Sequence, residues 1–323
     1  DNDNQDGIRP TNVKVELYGT DGTLRTQYLT KDNNWSYSFE NLPKYQNEGT
    51  IILYTAKEEA VEGYTQKSVT TATGFNFTNT HEPQTVTYGA TKVWLDDDNR
   101  DGVRPNSITL ALNGSDGSKY TEQMTAASNW SDVTFERIPM FNNGKYITYT
   151  LSENDVPSYV NSVAVSEDGK FFTVTNTHTP DHAIIKITEV WHDENDQDGI
   201  RPKKVTTIIV GSNGNRHEVP LHSSGDWHYT CDDLVKYWKN GQLVDYTVEA
   251  VTIDGYTSEV KSLGNNVFEV HNTHIPETIS KTVTKTWKDN ENQDGIRPAS
   301  VTVTLTGSNA VSKTATLNEE NGW

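Results

Sequence analysis

Apolar and polar residues alternate along most of this chain. Val13, Val15 and Leu17 are separated by polar positions, as are Ile108, Leu110 and Leu112, and again Val301, Val303 and Leu305. A strand with one buried face needs that rhythm, because successive side chains point to opposite sides of a sheet. Helical spacing is missing. Thr, Val, Ile, Tyr and Trp dominate these runs, and turn-forming pairs such as Asp21-Gly22, Asp116-Gly117 and Asp168-Gly169 separate them. The pattern predicts an all-β chain of tandem antiparallel β-sandwiches with immunoglobulin-like architecture.

The pattern itself recurs. One block appears as DNDNQDGIRP from Asp1, DDDNRDGVRP from Asp96, DENDQDGIRP from Asp193 and DNENQDGIRP from Asp289. Its glycines, Gly7, Gly102, Gly199 and Gly295, stand 95, 97 and 96 residues apart. Trp35, Trp130, Trp227 and Trp323 keep the same spacing, and NTH recurs at Asn79, Asn176 and Asn272, followed by Pro83, Pro180 and Pro276. Units of this length are whole domains rather than solenoid repeats. The expected division is 1–83 (a repeat without its first strand), 84–180, 181–276, and 277–323 as the opening part of a fourth. Short joints carrying a Pro predict a semi-rigid rod. The chain opens on Asp1 and closes on Trp323 inside a repeat, so it reads as a length of a longer protein.

Composition sharpens this reading. Only 33% of residues are hydrophobic, which suits several thin two-sheet domains better than one thick globular core. A net charge of −18, spread along the chain, disfavours nucleic acid and anionic membrane surfaces as partners. Cys231 is the sole cysteine, so an intrachain disulfide cannot form, and stability must come from elsewhere. No apolar run approaches the ~20 residues of a membrane span, and no signal or sorting motif is present.

One strand carries candidate chemistry. In TKVW, Lys92 precedes Trp94 by two residues, so the two share a face, and if Trp94 is core then Lys92 points inward. A buried lysine is costly unless paired or chemically altered. The unit's last strand, FFTVTNTH, carries Asn176, and a middle strand, YTLSE, carries Glu153. The three can meet inside one sandwich. Desolvation favours the neutral forms of amines and acids alike. Lys92 could then attack the Asn176 side-chain carbonyl, with Glu153 polarising the oxygen and moving protons, and ammonia leaving. For Lys92 alone, the competing reading is a solvated residue at a strand edge.

KVW, the loop ending DGVRP, YTLSE and the closing NTH together resemble the B-type repeat of the collagen adhesin of Gram-positive bacteria, the Cna B domain. The likeness runs through every unit. It implies an intramolecular Lys–Asn isopeptide bond with Glu as the catalytic acid, made in a single turnover, so that the chain is no enzyme in the ordinary sense. It further implies a stalk or spacer of a cell-wall-anchored extracellular adhesin, monomeric and without cofactor or metal, whose partners are its own neighbouring repeats. The alternative is that the repeats themselves hold a host matrix protein or glycoprotein. An aromatic outside the pattern, such as Trp238, would favour it.

The motif does not carry over evenly. The first unit has Glu58 and Asn79 but no lysine strand, and the fourth has Lys285 in TKTW but neither acid nor Asn. In the third, Glu189 fills the lysine slot of TEVW and Ala250 the acid slot of YTVEA, leaving Asn272. Lys186 and Glu249 stand at odd offsets, on the opposite faces. No isopeptide is expected there. The D-x-D-x-x-D-G loop is one residue longer than the start of an EF-hand and lacks its Glu, so a turn is preferred over a calcium site. His81, His178 and His274 have no second His or Cys at ligand spacing. Cys231 reads as a small buried hydrophobe.

Overall fold

The computed structural model describes residues 1–323. It is all-β apart from short 3-10 turns, and it divides into two compact units. One comprises Asp1–Ile184, Gly211–Asn215 and Cys231–Tyr246, the other Ile185–Val210, Arg216–Thr230 and Thr247–Trp323.

The second repeat shows the plan. A three-stranded sheet runs Tyr149–Glu153, Ser107–Gly114, Lys119–Thr125, and a four-stranded sheet runs Val160–Val165, Phe171–Thr177, Thr85–Leu95, Val133–Pro139. Ile108, Leu110 and Leu112 face inward from the first sheet, and Ala90, Phe172 and Val174 from the second, with Met124, Phe135 and Ile138 filling the space between. Because the first and last strands of the repeat lie side by side and parallel, a bond between them would close nearly the whole domain. The third repeat repeats both strand orders. The first has a sheet of Leu24–Thr30, Asn12–Gly19 and Tyr54–Glu58 and a separate hairpin of Thr65–Thr70 with Phe75–Thr80, and the fourth a hairpin of Ser300–Thr306 with Ser312–Asn318.

The Asp-rich loop owes its composition to backbone conformation. Asp97, Asp98 and Asn99 take φ of 50, 56 and 58, three left-handed residues in succession, and the equivalent residues of the other repeats do the same. Asn and Asp tolerate this region better than other residues with a Cβ. A second left-handed step, at Asn129 and Trp130 (φ 51 and 56), turns the Trp130 ring onto Trp94 at 4.9 Å. Trp191–Trp227 and Trp287–Trp323 form the same pair.

Candidate functional site

Strand register brings the predicted residues of the second repeat together. Val174 pairs with Lys92 and Asn176 with Trp94, so Lys92 and Asn176 are diagonal neighbours on the inward face. Glu153, which pairs with Leu110, reaches across from the facing sheet. Lys92 Nζ lies 3.2 Å from Glu153 Oε1, and both side chains are fully buried. Asn176, also fully buried, donates through Nδ2 to Glu153 Oε1 at 3.1 Å. Asn161 Nδ2 reaches the other carboxylate oxygen at 3.4 Å.

The electrostatics favour a nucleophile. Burial lowers the Lys92 pKa from its ordinary value against the opposing pull of Glu153, which raises the share of neutral amine. The Trp94 ring lies 4.4 Å from Nζ. Lys92 Nζ has its ion pair with Glu153 but no well-aligned hydrogen bond, and Asn176 Oδ1 is buried with no partner at all. Such under-satisfied buried groups are costly and uncommon in folded proteins. Here they are the amine and the carbonyl that an amide bond would join.

The other repeats hold parts of this arrangement. In the first, Asn79 Nδ2 donates to Glu58 at 2.9 Å, Gln66 donates to the same carboxylate, and Asn79 Oδ1 is unpaired. Glu58 and Asn79 line an open groove with Val15, Leu17 and Phe77. In the fourth, half-buried Lys285 places Nζ 4.0 Å from the Trp287 ring.

The third repeat has a different centre. Glu189, in the lysine slot, is buried. It accepts from Thr207 Oγ1 at 2.7 Å and from Asn272 Nδ2 at 2.6 Å, while Ser258 Oγ donates to Asn272 Oδ1 at 2.5 Å. Burial raises the Glu189 pKa in spite of these donors. Thr207 stands where the second repeat has Leu110, and Ser258 where it has Asn161. A Thr at an inward apolar position was the available sign, and sequence reasoning missed it. Lys186 is exposed, and Glu249 pairs with Arg216 at 2.5 Å on the surface.

The remaining candidates have structural partners. Asp96 accepts from Arg104 Nε and Nη2 at 2.9 and 2.5 Å, from Tyr159 Oη at 2.7 Å and from the Asn99 amide at 3.0 Å. Burial pushes its pKa up, but these donors hold it below the usual carboxylate range. The loop's leading carboxylate is thus already saturated, and no three His, Cys, Asp or Glu side chains converge on a possible metal position. The NTH histidines serve as clamps. His178 bridges Ser158 O at 2.9 Å and Asp101 Oδ2 at 3.1 Å, and His81 and His274 make the same two contacts in their repeats. Cys231 is buried, with its thiol pKa pushed up to about 11 by desolvation. Trp238, 37% exposed, has Lys239 Nζ 5.5 Å from its ring. No helix is long and apolar enough to cross a membrane.

Comparison with known proteins agrees with this architecture. The Cna protein B-type domain family matches four tandem segments, residues 1–80, 89–177, 185–273 and 281–323. The "Collagen adhesin" of Staphylococcus aureus is 36% identical over 326 residues, an alignment covering 100% of this chain and 26% of that protein. The chain therefore spans about a quarter of that relative's length. Among solved structures, two B repeat units (B1B2) of the collagen binding protein of S. aureus are 34% identical, covering 85% of this chain and 72% of that one at a TM-score of 0.48. A single B1 unit of the same protein is 32% identical over 60% of this chain and 100% of its own, at a TM-score of 0.28. On the four tandem matches, which together take in most of its residues, the chain belongs to the Cna protein B-type domain family.

Proposed function

We propose that these repeats are a stalk segment of an extracellular, cell-wall-anchored adhesin, dividing near residues 83, 180 and 276, in which the second repeat braces itself with a Lys92–Asn176 isopeptide bond. The observation that carries this reading is the fully buried Lys92–Glu153–Asn176 cluster, in which the amine is held only by its ion pair with Glu153 and the amide carbonyl has no partner.

The reaction balances within the repeat. The neutral Lys92 amine adds to Asn176 Cγ, Glu153 takes a proton from the attacking nitrogen and passes it to the departing amide nitrogen, and one ammonia leaves. A C–N bond forms as another breaks, with no oxidant or cofactor. Glu153 already touches both nitrogens, so little motion separates the ground state from proton transfer. Joining residues 92 and 176 closes most of the domain into a loop, worth roughly 4–5 kcal/mol if a long-loop disulfide is the guide. A bond between first and last strands also lies across the route by which tension would unravel the sandwich.

Direct binding of a matrix protein by the repeats has less support. Asp1, Asp96, Asp193 and Asp289, the leading carboxylates of the acidic loops, are each engaged by an arginine of their own repeat, and Trp238 has the Lys239 amine against its ring. Intact mass of the whole chain decides the central point. The expected value is one ammonia below the sequence mass, restored by Lys92→Ala, Glu153→Ala or Asn176→Ala. A wild-type protein at full mass would overturn the proposal.

A further inference from the structure

We infer that the Asp-rich loop of one repeat is a docking socket whose partner is the glycine-tipped hairpin of the next repeat, and that this backbone-to-backbone contact sets the angle between the first repeat and the second. The inference builds on the reading of the repeats as successive beads, but it does not depend on the isopeptide bond.

The contact occurs twice in the same form. Gly144, at the tip of the hairpin Phe141–Asn142 and Lys145–Tyr146, donates its amide to Gln5 O at 3.0 Å. Gly241, at the tip of Tyr237–Trp238 and Gln242–Leu243, donates to Arg100 O at 3.0 Å. Gln5 and Arg100 hold the same place in their loops, two residues before the loop glycine. Each loop glycine then meets the hairpin main chain directly. A Cβ on Gly7 would lie 2.5 Å from Gly144 Cα, and one on Gly102 would lie 2.6 Å from Asn240 C. No side chain can be added there unless backbone moves. Asn99 Nδ2 adds a bond to Asn240 Oδ1 at 3.3 Å.

The same loop grips the connecting segment. Asp6 Oδ2 accepts from the Gln84 amide and from His81 Nε2, both at 2.9 Å. Asp101 Oδ2 accepts from the Asp181 amide at 2.7 Å and from His178 Nε2 at 3.1 Å. The first repeat therefore holds the second at two places far apart in its sequence, the entry to its first strand and the tip of its hairpin. One tether would leave a swivel. Two tethers, one of them main chain against main chain, define an orientation. The recurring glycines at 7 and 102 thus have a role beyond the turn, since Gly22 and Gly117, with φ of +87, show that a left-handed glycine can also stand in open space.

Those two glycines provide the control. Gly7→Ala and Gly22→Ala both force a Cβ into the left-handed region, but only the first strikes the neighbouring repeat. Gly144→Ala and Gly117→Ala form the matching pair in the second repeat. Spin labels at the exposed positions Ser68→Cys and Ser162→Cys, in full-length chain carrying Cys231→Ala, report the distance between repeats by pulsed dipolar spectroscopy. One narrow distance is expected for the parent and for Gly22→Ala and Gly117→Ala, with a shifted or clearly broadened distribution for Gly7→Ala and Gly144→Ala. A broad distribution in the parent, or Gly7→Ala and Gly144→Ala distributions matching their controls, would overturn the socket. Intact mass of the same samples reports the isopeptide separately, so a failed joint and a failed cross-link are distinguishable.

Discussion

The centres of the second and third repeats occupy the same place in the same sandwich, yet they close in opposite ways. The second gives the Lys92 amine only an ion pair with Glu153 and leaves the Asn176 carbonyl with no hydrogen-bond partner. The third pairs the carboxylate and the asparagine, with Thr207 and Asn272 donating to Glu189 and Ser258 donating to Asn272. Four positions differ together: Lys92 against Glu189, Leu110 against Thr207, Glu153 against Ala250, and Asn161 against Ser258. Only the asparagine stays. A partly satisfied buried polar cluster is worse than either alternative. If the proposed cross-link forms, the pair of repeats teaches that one fold can seal its centre either by a covalent bond or by hydrogen bonds among exchanged side chains.

The largest effect that would break this comparison comes from removing the asparagine in each repeat. Asn176→Ala should cost the second repeat roughly 4–5 kcal/mol, the cross-link's worth on the loop-closure analogy, and should restore the missing ammonia. Asn272→Ala should cost about 1–3 kcal/mol, the usual penalty for orphaned buried hydrogen-bond groups, with no mass change. Calorimetry of the whole chain measures both, and equal losses would erase the distinction. Next in size is the transplant. Glu189→Lys, Thr207→Leu, Ala250→Glu and Ser258→Asn together should give the third repeat the reactive set and remove a second ammonia from the intact mass. A mass unchanged from the parent would mean that these positions are not sufficient.

A smaller effect is pH dependence. Glu189 has its pKa raised by burial, so the folded repeat holds the proton more tightly than the unfolded chain. Its favourable contribution is therefore complete below the ordinary carboxylate value and is lost as pH rises through the raised folded value. The third repeat should melt at a higher temperature in mildly acidic solution than at neutral pH, after allowance for the rest of the chain, and Glu189→Gln should flatten that difference. A pH profile unaltered by the substitution would show that the carboxyl is not the titrating group. The smallest effect belongs to Asn161, whose 3.4 Å contact with Glu153 is long. Asn161→Ala should shift stability by no more than about 0.5 kcal/mol and leave the ammonia loss intact.

Much of this was legible in the sequence because strand alternation is local. Two-residue spacing was enough to turn Lys92 inward beside Trp94, and repetition located the acid and the asparagine on their strands. What the sequence concealed arises between side chains on different strands. Thr207 looked like an ordinary β-branched residue until Glu189 faced it, and the pairing of Ser258 with Asn272 depends on hairpin register. The Asp-rich loop invited a cation because its carboxylates were visible, whereas the left-handed backbone of Asp97–Asn99 was not. His178 was set aside as a metal ligand, but its structural role was hidden, because its partner Asp101, distant in sequence, also ties down the linker.

A tryptic map of the unreduced, unmodified chain tests the central claim most directly. Peptides bearing Lys92 and Asn176 should emerge as one branched species lighter by ammonia, uncut after Lys92, while the peptide bearing Asn272 emerges free. Cleavage after Lys92, with the Asn176 peptide separate and at full mass, would contradict it.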